Sequence, residues 1–335
     1  MRARDAVACF CLVFCGSFLW RCEAQSNDEV HVTSRGQSPE TSRHSLEAAM
    51  GSRLRPLRID VDLVLVPATV TDRMNRPVME LHKQNFGVYE NDTQQEIRYF
   101  TEEDEPISIG VILDVSKSMS NKIDSERTAV AEFFKNANPE DDYFVISLEN
   151  RPHLIADTTQ SLEDIQRKLA LVVPAGNTAL LDAIYMGVAK MRVARYQRRA
   201  LLIISDGGDN HSHYTARETK SMVRESDVLV YSIGIFDNLP VPVFKTLEEK
   251  LGQRLLVDIT EASGGRTIAA DHREKLPEIA AAISRELRQQ YVLGYKSSNV
   301  QRDGKWRKIK VEVSAATGDP PLRAYYKRGY LAPEK

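Results

Sequence analysis

Cysteine is scarce in this chain of 335 residues. There are four, and all of them lie near the beginning: Cys9, Cys11, Cys15 and Cys22. The residues after Cys22 therefore have no disulfide framework, no thiolate metal site and no cysteine nucleophile. A domain of this length can fold without disulfides because its hydrophobic core is large enough.

An excess of charge of one sign is also missing. Lysine and arginine number 45, aspartate and glutamate number 47, and the formal net charge is −2. No basic patch with interleaved aromatic residues stands out, so we expect neither nucleic acid nor an anionic membrane as a partner. Three enzyme motifs are absent as well: the Gly-x-Ser-x-Gly elbow, the Walker lysine loop and His-Glu-x-x-His.

The N-terminus has the pattern of an export signal. Arg2 and Arg4 precede an apolar stretch at residues 6–20, which is too short to span a bilayer comfortably. Cys22 and Ala24 then provide small residues at the two positions that a signal peptidase reads. The pattern predicts a signal peptide at residues 1–24 and an exported protein, periplasmic or extracellular, with no membrane span in the mature chain. The alternative is an uncleaved N-terminal anchor.

The chain after the leader changes character three times. Residues 25–56 are polar without apolar periodicity, which predicts a disordered linker. Residues 57–105 and 291–331 alternate apolar and polar positions, as β-strands do. Each of these β segments is too small to be stable alone. We therefore predict that they pair into one small β domain, into which residues 106–290 are inserted.

Residues 106–290 alternate short apolar runs with amphipathic stretches. Ile107–Leu113 is almost unbroken apolar sequence, typical of a central strand that is buried on both faces. The alternation predicts an α/β fold with a doubly wound, mostly parallel sheet. The close pair 143–148 and 153–156 predicts a hairpin with one antiparallel edge strand. The other predicted strands are 199–205, 228–235 and 265–270, and the predicted helices are 121–137, 161–172, 178–194, 215–226, 241–251 and 274–290.

Three polar motifs lie in loops of this predicted sheet. Asp-x-Ser-x-Ser at 114–118 and Ser-Asp-Gly at 205–207 each follow a strand, and Gly-x-Thr at 176–178 lies between two helices. Ligand sites of doubly wound sheets lie at the carboxyl ends of the strands, where these loops can converge. Two carboxylates and three hydroxyls suit Mg²⁺, and Mn²⁺ or Ca²⁺ could replace it. The predicted ligands are Asp114, Ser116, Ser118, Thr178 and Asp206. We expect Asp114, Ser118 and Thr178 to lie in exposed loops.

Each motif alone is weak evidence, because such residues are common in turns and helix caps. Their order and placement together favour a metal site. We interpret Asp182 as bracing the loop, and Asp209 either as a carboxylate behind the ligands or as a solvated side chain. His211 and His213 have a spacing that could bind a transition metal, but no third soft ligand is near in sequence, so a solvated loop is favoured.

The three motifs resemble the metal-ion-dependent adhesion site of von Willebrand factor type A domains. The resemblance implies that Ser116, Ser118 and Thr178 bind the metal directly, while Asp114 and Asp206 act through water. The flanking sequence is similar to a bacterial, acidobacterial-type group of von Willebrand factor type A-related domains. This wider resemblance spans residues 57–331 and includes Pro106–Gly110 and Gln290–Tyr295.

The sequence favours a non-enzymatic binding or adhesion module that bridges a divalent cation to an acidic residue of a partner protein. Two alternatives stay open: a metal-assisted hydrolase, in which the open metal position activates water, and a structural subunit of an envelope assembly. Ser116 has no histidine in its own loop to act as a base. An aspartyl-type phosphoryl-transfer enzyme would need a second carboxylate at that position.

Overall fold

The computed structural model describes residues 63–102, 104–235, 247–314 and 321–334. These residues belong to one compact unit, Asp60–Lys335. The predicted signal peptide and linker lie outside the described residues. Within the described ranges, no helix is long and apolar enough to cross a membrane.

The secondary structure alternates between strands and helices through the middle of the described chain. The strands are β1 (Leu63–Thr71), β2 (Phe86–Glu90), β3 (Thr93–Gln95), β4 (Ile97–Thr101), β5 (Ser108–Asp114), β6 (Asp142–Leu148), β7 (Pro152–Thr159), β8 (Arg199–Ser205), β9 (Leu229–Ile235), β10 (Thr267–Ala270), β11 (Tyr291–Lys296), β12 (Trp306–Val313), β13 (Arg323–Tyr326) and β14 (Gly329–Leu331). The helices are α1 (Ile123–Phe134), α2 (Leu162–Ala170), α3 (Leu180–Met191), α4 (Ala216–Glu225), α5 (Leu247–Ser263) and α6 (Leu276–Arg288).

The central sheet has six strands in the order β10-β9-β8-β5-β6-β7. All neighbours are parallel except β6 and β7, which form an antiparallel hairpin at one edge. Helices α1, α2 and α6 pack on one face, and α3, α4 and α5 on the other. The predicted doubly wound α/β fold with an antiparallel edge strand is confirmed.

Strand β5 lies in the middle of this sheet, and all seven of its residues are buried. Ile109, Val111 and Leu113 join the core on one face, while Ile112 joins the core on the other. This period of two follows from strand geometry, and it explains why the run is apolar without interruption. The strand ends at Asp114, so its carboxyl end presents a polar residue at the edge of the core.

Two four-stranded sheets lie beside the central sheet, with the orders β13-β1-β11-β4 and β14-β12-β2-β3. Strand β1 pairs antiparallel with β11 and β13, and β2 pairs antiparallel with β12 and β3. Each sheet thus combines strands that precede the α/β segment with strands that follow it. Their inward side chains share one apolar cluster, including Val66, Val88, Tyr291, Leu293 and Ile309.

The helix predicted at 241–251 is the clearest difference between expectation and structure. Residues 241–246 lie outside the described ranges, and α5 continues to Ser263. The predicted helix stops before Gly252, because glycine is a poor helix former, whereas α5 continues through this residue. In the structure a Cβ on Gly252 would lie 2.6 Å from the carbonyl oxygen of Gly207, so a close tertiary contact needs glycine at this helical position.

Candidate metal centre

The first and third motifs lie side by side, because the strands that precede them are neighbours in the sheet. Asp114 is the last residue of β5, and Ser205 is the last residue of β8. The Ser205 hydroxyl donates a hydrogen bond of 2.7 Å to Asp114 Oδ2. This bond brings the start of the Ser-Asp-Gly motif against the start of the Asp-x-Ser-x-Ser motif.

Backbone hydrogen bonds attach the second motif to both of the others. The Lys117 N–H donates to the Gly176 carbonyl (3.2 Å), and the Ala175 N–H donates to the Val115 carbonyl (2.8 Å). On the other side, the Thr178 carbonyl accepts the N–H of Asn210 at 3.0 Å. Thr178 N–H in turn donates to Asn210 Oδ1 (3.0 Å). The structure therefore brings all three sequence motifs together at one edge of the sheet.

The polar groups of the first motif are close to one another. Ser116 Oγ and Ser118 Oγ are 3.0 Å apart. Asp114 Oδ1 accepts the Ser116 N–H at 3.0 Å. Asp206 Oδ1 accepts the Gly208 N–H at 3.0 Å. The Asp114 carboxylate therefore accepts one hydrogen bond on each oxygen, and the two serine hydroxyls are within hydrogen-bonding distance of each other.

The expectation that Asp114, Ser118 and Thr178 lie in exposed loops is wrong for Asp114 and Thr178. Asp114 has 0% of its surface exposed, Ser116 2% and Thr178 4%. Asp206 is half-buried and Ser118 is exposed. The reason is that Asp114 ends a fully buried strand and Thr178 precedes a helix that begins in the core. Solvent thus reaches the site from the side of Ser118 and Asp206.

The electrostatics of the site favour a cation. Burial and, after it, the nearby charge of Asp206 together raise the pKa of Asp114 to about 6, against the hydrogen bonds from Ser116 and Ser205. Two carboxylates that repel each other in a partly dry environment are stabilised by a divalent ion between or beside them. The set of two carboxylates and three hydroxyls fits a hard cation of the Mg²⁺ type.

This donor set differs from the sites that zinc and other soft metals prefer. Across the described residues, no three or more His, Cys, Asp or Glu side chains are grouped so that they could hold a metal ion. His213 is 77% exposed and His211 lies in the same exposed loop. The interpretation of the histidine pair as part of a solvated loop stays the favoured one.

Asp209 and Asp182 hold the loop after β8 against α3. Asp209 Oδ1 accepts the N–H groups of Leu180 and Leu181 at 2.9 and 3.4 Å, which caps the start of α3. Asp182 Oδ1 accepts the N–H groups of His213 and Tyr214 at 2.8 and 3.0 Å. Burial of Asp182 is outweighed by these bonds and by His213, so its pKa is lowered. Both carboxylates are thus occupied in fixing the loop that carries Asp206.

The sequence reasoning missed the packing role of Gly207 and missed Glu126 altogether. Gly207 has φ +84°, and a Cβ there would lie 2.6 Å from the Gly252 backbone, so this glycine pair lets α5 approach the third motif. Glu126, on α1, is completely buried near Asp114. Helical periodicity could have found it, since Glu126 shares a face with the apolar residues Ala129, Val130 and Phe133.

The family model described as "von Willebrand factor type A domain" matches residues 109–208, a range that contains all three motifs. The chain contains a von Willebrand factor type A domain, which the match places at residues 109–208. Among curated proteins, the chain has no significant match.

Several solved structures are similar to this chain. The conserved hypothetical protein BatB from Bacteroides thetaiotaomicron is 17% identical, with a TM-score of 0.43 over 54% of this chain and 98% of that chain. A von Willebrand factor type A protein from Catenulispora acidiphila is 9% identical, with a TM-score of 0.47 over 81% and 74%. Proximal thread matrix protein 1 from the mussel byssus, in a structure described as having a zinc-occupied metal-ion-dependent adhesion site, is 15% identical, with a TM-score of 0.46 over 59% and 50%.

Proposed function

We propose that this chain is an exported, non-enzymatic binding protein. Its von Willebrand factor type A domain holds one divalent cation, Mg²⁺ in the first instance, and binds an acidic side chain of a partner protein through it. The convergence of the three motifs at one sheet edge carries the proposal. The proposal of export rests on the leader at residues 1–24. N-terminal sequencing of the native protein should show a chain that begins after Ala24. A chain that begins at Met1 would contradict export by cleavage.

The described contacts support different roles for the hydroxyl and carboxylate side chains in holding the ion. The hydroxyls of Ser116, Ser118 and Thr178 are uncharged oxygen donors that would bind the ion directly. Asp114 already accepts a hydrogen bond on each carboxylate oxygen, so it would contribute its charge and act through water. Asp206, half-buried on the solvent side, would act in the same way.

An acidic group of the partner completes this arrangement. The two ligand carboxylates balance the charge of a divalent ion, and the hydroxyl ligands add none, so the ligand set itself leaves no excess of negative charge to repel an anion. A bound Mg²⁺ keeps octahedral geometry and exchanges water for oxygen ligands. Because Ser118 is the exposed ligand, the partner carboxylate would approach beside it.

The test is affinity capture from the native envelope fraction, with Mg²⁺ and with a chelator. Three baits are needed: the wild-type protein, Ser118→Ala, and Ser120→Ala as the control. Ser120 is an exposed serine of the same loop whose hydroxyl donates to the Lys117 carbonyl. We expect wild type and Ser120→Ala to capture the same partner in Mg²⁺ and to release it with the chelator, whereas Ser118→Ala captures little.

The other results separate the two alternatives. A partner that binds equally well with the chelator, while metal removal only lowers stability, would contradict metal-bridged binding and favour a structural subunit. Chelator-sensitive turnover of a panel of esters would favour a hydrolase. Asp114→Ala and Thr178→Ala should also abolish capture, but both side chains are buried, so Ser118→Ala is the cleaner variant.

A further inference from the structure

Glu126 is a buried carboxylate without a visible structural purpose. It lies in the first turns of α1 with 0% of its surface exposed. Neither of its two carboxylate oxygens has a hydrogen-bond partner in the part of the chain that the structure describes. Burying such a group costs free energy that an apolar residue at the same position would not cost.

Glu126 follows the first candidate metal loop closely along the chain. The chain runs from Ser116 to α1 through consecutive turns: the Met119 N–H donates to the Ser116 carbonyl, the Lys122 N–H to Met119, and the Glu126 N–H to Lys122, at 3.0, 2.8 and 3.1 Å. These turns connect the backbone of Glu126 to the Asp-x-Ser-x-Ser motif without an intervening loop.

Two opposing sets of charges act on this carboxylate. Burial raises the pKa of Glu126 well above its usual range, and the charges of Asp114 and Asp206 raise it further. Lys122, which is itself 5% exposed, and Arg127 favour the ionised form. Three acidic groups thus lie close enough to repel one another when no cation is near.

We propose that Glu126 serves the metal centre as a positioning residue that strengthens cation binding from behind the ligand loops. The inference rests on the proposed metal-dependent function. A divalent ion at the loops attracts the Glu126 carboxylate through a poorly polarisable interior, either directly or through an intervening water. Without the ion the same carboxylate is an unpaired buried group, so the protein gives up stability of the metal-free domain in return for metal affinity.

The experiment is calorimetric titration of the full chain with Mg²⁺, together with thermal unfolding in a chelator. The variants are Glu126→Gln, Glu126→Asp and the control Glu132→Gln. Glu132 lies near the other end of α1, where it pairs with Lys135 at the surface. The control therefore makes the same change of charge on the same helix, ~9 Å farther along its axis.

We expect Glu126→Gln to weaken Mg²⁺ binding ~10-fold or more, the usual effect of losing a group behind metal ligands. Glu126→Asp keeps the charge and should retain more affinity than Glu126→Gln, while Glu132→Gln should bind as wild type does. In the chelator, Glu126→Gln should unfold at a higher temperature than wild type, because the buried charge is gone.

Wild-type Mg²⁺ affinity in Glu126→Gln would overturn this inference alone. Equal losses in Glu126→Gln and Glu126→Asp would also overturn it, since shape rather than charge would then matter. A metal-free Glu126→Gln protein that is less stable than wild type would show that the carboxylate is structural. Absence of Mg²⁺ binding to the wild-type protein would contradict the proposed function itself.

Discussion

Glu126 and Glu286 are buried to the same degree on two helices that pack against each other, yet their surroundings differ. Glu126 on α1 is 0% exposed, and Glu286 on α6 is 1% exposed. Glu286 accepts hydrogen bonds from Arg266 Nε and Nη2 at 3.0 and 2.7 Å, and from the Tyr231 hydroxyl at 2.9 Å. Glu126 has no such partner among the described residues.

The paired glutamate belongs to the junction between the α/β segment and the β sheets. Tyr231, which donates to Glu286, also lies 3.3 Å from the Thr69 hydroxyl on β1. The Arg266 guanidinium lies over the ring of Tyr325 on β13, 5.1 Å from its centroid. A satisfied buried carboxylate thus joins structural elements, whereas the unsatisfied one lies behind the candidate metal loops. The paired Glu286 thus stabilises the fold, whereas the unpaired Glu126 is the candidate for a role at the metal centre.

Breaking the Glu286 pair should have the largest effect on stability. Arg266→Met leaves the Glu286 carboxylate buried without its cation, which costs ~3 kcal/mol or more of the free energy of unfolding. Urea denaturation followed by circular dichroism measures the loss. The Mg²⁺ affinity of the folded variant should equal that of wild type. An Arg266→Met protein as stable as wild type would remove the contrast between the two glutamates.

Removing the exposed candidate ligand Ser118 should lower the Mg²⁺ affinity and leave the stability nearly unchanged. Ser118→Ala is expected to weaken Mg²⁺ binding ~10-fold, equivalent to ~1.4 kcal/mol. Its metal-free stability should stay within ~0.5 kcal/mol of wild type, because no buried group is lost. Titration calorimetry and urea denaturation in a chelator give the two values. A large loss of metal-free stability would mean that this hydroxyl has a structural role.

The smallest effect is expected at His213. Its side chain is 77% exposed, with Nδ1 2.9 Å from Asp182 Oδ2. Asp182 keeps its two backbone hydrogen bonds when the imidazole is removed, so His213→Ala should change neither Mg²⁺ affinity nor stability measurably. A clear loss of affinity for Mg²⁺ or Zn²⁺ in the same titration would make the histidine loop part of the metal centre.

Local pattern was enough to predict the framework of the central sheet. The unbroken apolar run before Asp114 predicted β5, and a second apolar run, before Asp206, predicted β8. Because strand ends of a parallel sheet meet at one edge, the convergence of the first and third motifs followed from their positions alone. The assignment of the five side chains as metal ligands stays a prediction.

Contacts between distant parts of the chain could not be predicted in the same way. The continuation of α5 through Gly252 depends on its approach to Gly207, 45 positions earlier in the sequence. The capping of α3 by Asp209 depends on a loop that folds back on the helix. The burial of Asp114 results from packing on both sides of the sheet, which no single motif encodes.

Diffraction from crystals grown with Mn²⁺ tests the central claim most directly, because Mn²⁺ can replace Mg²⁺ in oxygen sites and is located by its anomalous signal. We predict one strong anomalous peak at the loops, within ligand distance of the Ser116, Ser118 and Thr178 hydroxyls, that is weaker at the same Mn²⁺ concentration in crystals of Ser118→Ala and disappears after soaking in a chelator. A fully loaded crystal with no peak at these loops, or with its only peak elsewhere on the protein, would contradict a metal centre formed by the three motifs.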